Sequence, residues 1–470
     1  MARIWPELPP ELAERIATSL PRNVLACSVR RVNKAAAALF RGPQHTTVRL
    51  NERVPEHAFA RQFGAADATR ELSLAQRRQL LSHVATTGSI QNLEVALAAA
   101  GCELTAAVLE AAAAARQLHV CEWLLQRGCP AGGALAAAAQ AGHRDVCEWL
   151  MDRGFAASLD AAVAAASRGP SRLVEWLLTR LPLGWELSAD AWRLPAAAAK
   201  GCDLPLLQRL YDRVEGLQQA AAAAAVTAPH SPDARAAALM TAAVRSPTHD
   251  WAAKVEWLES RGYRPASIFD DRACSAAAGL PDAVQRLSWL RQRAYRCGCG
   301  ATESAAAVGN AAALAYLIAA GVPISRRAAG APPAGGHVAA LELLARHSRS
   351  PWRWLPEETD HHWLLCQCTY GLAEHPLSLP ILQWLVEHRS ELKRDLNEEN
   401  GVFAAAAGWG DLEVLAWLRR RGCPWGRQSF LAAVRAGNVA ALEWMHAEGC
   451  PVEVRGPPPR GVQSAACACD

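Results

Sequence analysis

Apolar residues recur along this chain in two alternating textures. A run of alanine with an occasional leucine stops at a glycine, and bulkier residues at three- and four-residue spacing then lead to a second glycine. In Ala134–Gly154, ALAAAAQAGHRDVCEWLMDRG, the first texture ends at Gly142 and the second puts Val146, Trp149 and Leu150 on one helical stripe. Glycine ends helices because it enters the left-handed conformation that other residues resist. The turn His143-Arg144-Asp145 offers Asp145 as a cap for the second helix. The pattern therefore predicts pairs of short antiparallel helices, with Val146, Trp149 and Leu150 as the buried face of the second.

The texture repeats with a period. A glycine, an aromatic residue seven positions later and a glycine five beyond recur at Gly142/Trp149/Gly154, Gly309/Tyr316/Gly321, Gly410/Trp417/Gly422 and Gly437/Trp444/Gly449. Successive aromatic positions are 26 residues apart for Trp123 and Trp149, and 27 apart for Trp149 and Trp176, Trp289 and Tyr316, and Trp417 and Trp444. A fixed period of this length is the mark of a solenoid. With less regular members, the first near Asn92–Cys102, the expectation is about a dozen units over residues 76–455. The fold class predicted is all-α, a stack of helix pairs in which Trp123, Trp149, Trp176, Trp257, Trp289, Trp384, Trp417 and Trp444 act as core hubs joining the layers. Two long intervals break the rhythm. The first, near 211–250, reads as an extra helix plus loop around Pro229-His230-Ser231-Pro232; the second lies near 346–380.

These residues resemble ankyrin repeats, GHRDVCEWLMDRG being similar to that family's glycine-histidine turn and following helix. The unit is shorter than the ankyrin period of about 33 residues and lacks the Thr-Pro-Leu-His signature. A shortened hairpin finger accounts for the missing residues. It shifts the expected contact surface to first helices and short loops such as Cys423-Pro424-Trp425-Gly426-Arg427.

Residues 1–42 differ in kind. Leu8, Leu12, Ile16 and Leu20, spaced by four, form one helical stripe introduced by Pro9-Pro10 and broken at Pro21. Leu25 and Val29 begin a second helix, and Val32, Leu39 and Phe40 close the unit. The segment resembles an F-box, the helical module that docks on the Skp-type adaptor of cullin–RING ubiquitin ligases. Asn33-Lys34 stands where that motif commonly has tryptophan. The resemblance implies adaptor contacts at Leu8, Pro9, Leu12, Ile16, Leu20 and Val29, with the solenoid holding a target protein. The alternative is a plain scaffold whose N-terminal helices only cap the array, since an open solenoid end exposes its core. Residues 43–75 read as a connecting segment, and 456–470, after Pro457-Pro458-Pro459, as a disordered tail.

Composition narrows the rest. Apolar residues make up 51% of the chain and charged residues 20%, with a formal charge of +4 and no basic stripe, so neither nucleic acid nor membrane is an expected partner. The basic residues are nearly all arginine, the lysines being Lys34, Lys200, Lys254 and Lys393; arginine's fork suits the surface to carboxylate recognition. Fifteen cysteines and no signal-type segment fit reduced thiols in cytosol or nucleus.

His361, His362, Cys366 and Cys368 have zinc-ligand chemistry. Adjacent histidines and a Cys-X-Cys pair are tight for one tetrahedral ion, so no metal or other cofactor is expected. No phosphate loop, dinucleotide fingerprint or nucleophile elbow occurs, and a non-enzymatic protein is expected. Trp352, Trp354, Trp425 and Arg427, in loops or insertions, are candidate target contacts, because tryptophan and arginine anchor protein interfaces.

Overall fold

The computed structural model describes residues 9–65, 67–168, 171–188, 190–223, 232–263, 271–325, 328, 337–347 and 400–451, with isolated positions between 379 and 387. All regular elements among them are helices. The chain divides into two compact units, residues 1–69 with 74–355 and residues 70–73 with 356–470.

In the first unit, α1 (Pro10–Ser19), α2 (Arg22–Cys27), α3 (Lys34–Leu39) and α4 (Pro43–Thr46) form the N-terminal module, and α5 (Glu56–Phe63) follows. Helix pairs then succeed one another: α6 (Leu74–Thr86) with α7 (Ile90–Ala100), α8 (Ala106–Ala114) with α9 (Leu118–Gln126), and α10 (Ala134–Ala141) with α11 (Arg144–Asp152). Next come α12 (Leu159–Arg168) with α13 (Ser171–Leu178), and α14 (Arg193–Gly201) with α15 (Leu204–Ala223). The series continues through α16 (Pro232–Val244) with α17 (Trp251–Ser260), α18 (Arg272–Ala278) with α19 (Ala283–Gln292), and α20 (Cys299–Val308) with α21 (Ala311–Ala319), and then α22 (Val338–His347). The second unit holds α23 (Asn400–Trp409) with α24 (Leu412–Arg420) and α25 (Arg427–Ala436) with α26 (Val439–Ala447).

The first helices of successive pairs, α6 through α20 in even numbers, pack directly on one another in a row. Six of these eight helices carry a pair of alanines with no solvent exposure: Ala112-Ala113, Ala138-Ala139, Ala165-Ala166, Ala198-Ala199, Ala277-Ala278 and Ala305-Ala306. Alanine forms helix well and lets backbones approach closely. In the second unit α23 packs on α25 in the same way, with Ala406 and Ala407 buried.

The second helices bury Val120, Cys121 and Leu124 in α9 and Val146, Cys147 and Leu150 in α11. Here the expectation needs correcting. Trp149 is only half-buried, as are Trp123, Trp257, Trp289 and Trp444, while Trp176 and Trp417 are buried; Trp384 lies outside the described residues. In α9 and α11 the inward place two residues before the indole is taken by Cys121 and Cys147, and the ring lies at the edge of that face. Asp145 is not a cap either: it pairs with Arg116 of the preceding unit at 2.8 Å. Among the described residues of the interval near 211–250, α15 itself runs for 20 residues and α16 opens the next pair. Residues 43–63 carry α4 and α5, and α5 packs on α7. The tail 456–470 lies outside the described residues.

Gly142 ends α10 at φ 84° as the pattern requires. Twenty-seven residues before Gly321, Ala294 stands at the corresponding helix end and adopts φ 63° without being glycine. Ala294→Gly is expected to raise stability by about 1 kcal/mol by relieving this left-handed strain. Urea unfolding checks this, and an unchanged or lowered midpoint contradicts it.

Candidate interaction surfaces

In the N-terminal module, Ala17, Leu25 and Phe40 form a small core with Val29 packed against it. Asn23 is fully buried; its amide donates to the carbonyls of Arg49 (2.7 Å) and Glu52 (3.0 Å) and accepts from the Arg49 N–H (2.9 Å). This ties α2 to the loop before α5. The second helix expected from Leu25 onward stops at Cys27, and a single 3-10 turn over Val29–Arg31 leads to α3, capped by the Asn33 side chain. Of the expected adaptor contacts, Leu12 and Ile16 lie one turn apart on α1 and are 44% and 41% exposed. Pro9 is exposed, Leu20 and Val29 are half-buried, and Leu8 lies outside the described residues. Val32 and Leu39, expected to close the unit, are also exposed.

The second helices present a ladder that the sequence reading missed. Four residues after six of the hub indoles an arginine lies over the ring face: Arg127 over Trp123 (4.1 Å to the ring centroid), Arg153 over Trp149 (3.6 Å), Arg180 over Trp176 (4.1 Å), Arg261 over Trp257 (5.3 Å), Arg293 over Trp289 (4.9 Å) and, in the second unit, Arg421 over Trp417 (4.9 Å). Several of these arginines also reach a carboxylate on the preceding second helix, Arg127 to Glu94 and Arg153 to Glu122 at 3.0 Å each, and Arg261 to Asp212 at 2.5 Å. One i,i+4 step places the guanidinium over the ring, and one repeat step places the acid beside it. The signal was legible, since Glu-Trp-Leu-X-X-Arg spells it at Glu122–Arg127 and Glu148–Arg153.

Polar side chains from the turns cap the preceding first helix. His119 Nε2 donates to Gly88 O at 2.7 Å, His143 Nε2 to Ala114 O at 3.0 Å, and Asn310 Nδ2 to Leu280 O at 2.8 Å. Where the glycine turn is absent, Lys254 does the same from a fully buried position. Its ammonium donates to Ala199 O (3.3 Å), Cys202 O, Ser246 Oγ (2.9 Å) and Thr248 Oγ1 (2.7 Å), and lies 3.4 Å from Asp250. Burial pulls its pKa below 10.5, against the opposing pull of Asp250. Asp250 also accepts from the Leu204 N–H at 2.8 Å. Its own burial works upward, but the Thr248 hydroxyl, the Leu204 N–H and Lys254 outweigh it and hold the carboxyl below 3.8.

In the second unit Trp425 is half-buried against Phe403 (centroids 5.3 Å) and Trp444 (5.9 Å), with Arg419 over its face at 4.4 Å. Arg427, at the start of α25, is exposed. Trp352, Trp354, His361, His362, Cys366 and Cys368 lie outside the described residues. Among the described residues no cluster has the make-up of a metal site, and no helix is long and apolar enough to cross a membrane. Cysteines after repeat-ending glycines, Cys129, Cys423 and Cys450, are buried as small apolar groups, with burial pushing the Cys423 thiol up to about 12. Cys297 faces Cys274, their sulfurs 2.6 Å apart as free thiols.

No protein-family model matches this chain, and no curated protein matches it.

The Lys254–Asp250 clamp yields a test with a defined sign. Asp250, depressed in the folded state, contributes stability that is fully present above about pH 4 and lost as pH falls through its lowered pKa. Asp250→Asn is expected to cost about 1–3 kcal/mol at pH 7, the deficit shrinking as pH falls below 4. Urea unfolding of both proteins across this range checks it; a deficit independent of pH contradicts the assignment.

Proposed function

We infer that the protein is a non-enzymatic protein-binding subunit that recruits a target to a cullin–RING ubiquitin ligase. The N-terminal module, F-box-like in pattern, docks on a Skp-type adaptor, and an ankyrin-like stack holds the target. The mechanism is proximity: a bound target meets the transferase at high effective concentration, and no bond is made or broken on this chain.

The exposure of Leu12 and Ile16 carries the reading. A helix whose only task is to cap a solenoid buries its apolar stripe against the first repeat. Here α1 instead uses Ala17 for its own small core and leaves two large aliphatic side chains, one turn apart, in solvent. Val32 and Leu39 extend the exposed apolar set within the same module. Exposed apolar groups grouped on a small module have the make-up of a docking face. The plain scaffold is the second reading, favoured by α5, which packs on α7 at the start of the stack.

Leu12→Asp with Ile16→Asp changes only exposed positions and is expected to leave helicity and melting temperature unchanged. Co-purification with a Skp-type adaptor should then be lost. If the double variant captures the adaptor as well as the unaltered protein does, or the unaltered protein captures none, the ligase reading falls and the scaffold reading stands.

A further inference from the structure

Three successive first helices of the stack, α14, α16 and α18, line a cleft of about 430 Å³. Its floor is one face of α16: Ala237, Ala238, Thr241 and Ala242, positions that recur at helical spacing and carry no bulky side chain. Lys200 from the last turn of α14, Arg245 just beyond the end of α16 and Arg272 at the start of α18 complete the lining. All three basic residues are exposed, and among the described residues no acidic side chain lines the cleft. The volume falls within the range of ligand clefts.

A basic residue at a helix C-terminus often serves the helix itself, by meeting its last carbonyls. Here that task is already filled. The carbonyls of Ala199 and Cys202 accept from Lys254 Nζ, and that of Lys200 accepts from Ser246 Oγ at 2.7 Å. At the end of α16 the Val244 carbonyl accepts from Arg286 Nη1 at 2.6 Å. The Lys200 ammonium and the Arg245 guanidinium are thus not needed as caps. Nor does either meet a carboxylate among the described residues, in contrast to Arg127, Arg153, Arg261 and Arg293 on the second helices, each of which does.

We propose that the cleft between α14, α16 and α18 binds an acidic peptide segment of a partner protein, its carboxylates held by Lys200 and Arg245. The small floor lets an extended backbone lie close to α16, within reach of the Thr241 hydroxyl. Arginine's fork matches a carboxylate in two bonds and Lys200 adds a point charge, so the site recognises glutamate and aspartate side chains rather than an apolar sequence. Charge complementarity of this kind speeds encounter and weakens as salt is added. This inference deepens the reading of the stack as a target-binding array and rests on it.

The test is fluorescence anisotropy of the full-length protein with a fluorescein-labelled hexaglutamate peptide, and with hexaglutamine as the neutral probe. Saturable hexaglutamate binding that weakens with salt is expected, with none for hexaglutamine. Lys200→Glu with Arg245→Glu should weaken it by about tenfold or more while the circular dichroism spectrum and melting temperature stay unchanged. Absent hexaglutamate binding, equal binding of hexaglutamine, or undiminished binding by the double variant overturns the proposal. Displacement of the peptide by inorganic phosphate below the peptide's own dissociation constant also overturns it, marking a phosphate site instead. Adaptor capture is read on the same double variant and is expected to be unchanged. An inert cleft therefore leaves the ligase reading intact, and a failed capture by the unaltered protein is scored separately.

Discussion

The distance between neighbouring first helices governs everything else in this protein. Paired alanines such as Ala112-Ala113, Ala138-Ala139 and Ala165-Ala166 sit in the contacts with no solvent exposure. Each contributes little apolar area, so close fit repeated along the row adds to what the larger buried side chains of each layer, such as Leu109, Leu124 and Leu150, contribute. In α9 and α11 the second helices turn Cys121 and Cys147 inward and leave the indoles of Trp123 and Trp149 half-buried at the margin. There they become platforms for Arg127 and Arg153 rather than links between layers.

An alanine contact has little directional preference, and something else must set the register from layer to layer. The turn side chains do so. His119, His143, Asn310, Lys254 and Arg286 each donate to a carbonyl at or near the end of a preceding first helix. The partners differ because the turns differ, but the geometric task is shared: a donor from one repeat satisfies an orphan acceptor of the previous one. Lys254 shows how strongly this is enforced, since a fully buried ammonium is tolerated only with several oxygens around it. The same arrangement releases Lys200 and Arg245 from capping duty. A structural solution in the stack thereby leaves cationic side chains unmatched on its surface.

Much of this was legible in the residues. The glycine period located helix ends well enough that Gly142, Gly309 and Gly437 all take the left-handed conformation, and the N-terminal stripe ended before Pro21 as read. The hubs misled for a physical reason. Periodicity shows which side of a helix faces inward, yet does not say which residue at the edge of that face is covered, and in α11 Val146, Cys147 and Leu150 are buried while Trp149 is only half-buried. Lys254 carried no sequence signal, because a single lysine between apolar residues reads as a solvated side chain until the carbonyls of Ala199 and Cys202 are in place. The interval near 211–250 was ambiguous for the opposite reason: alanine continues a helix as readily as it starts one, and α15 simply runs on. Lys200, Arg245 and Arg272 are far apart in sequence and belong to one cleft only once three repeats are stacked.

The alanine row is tested most directly by enlarging one of its members against a control on the same helix. Ala139 is fully buried in α10, and Ala141, two residues on, is exposed. Ala139→Leu is expected to lower the unfolding free energy in urea by about 1–3 kcal/mol through overpacking, with Ala141→Leu within about 0.5 kcal/mol of the unaltered protein. Equal effects of the two substitutions, or a stabilising Ala139→Leu, would contradict close first-helix contact as the basis of the fold.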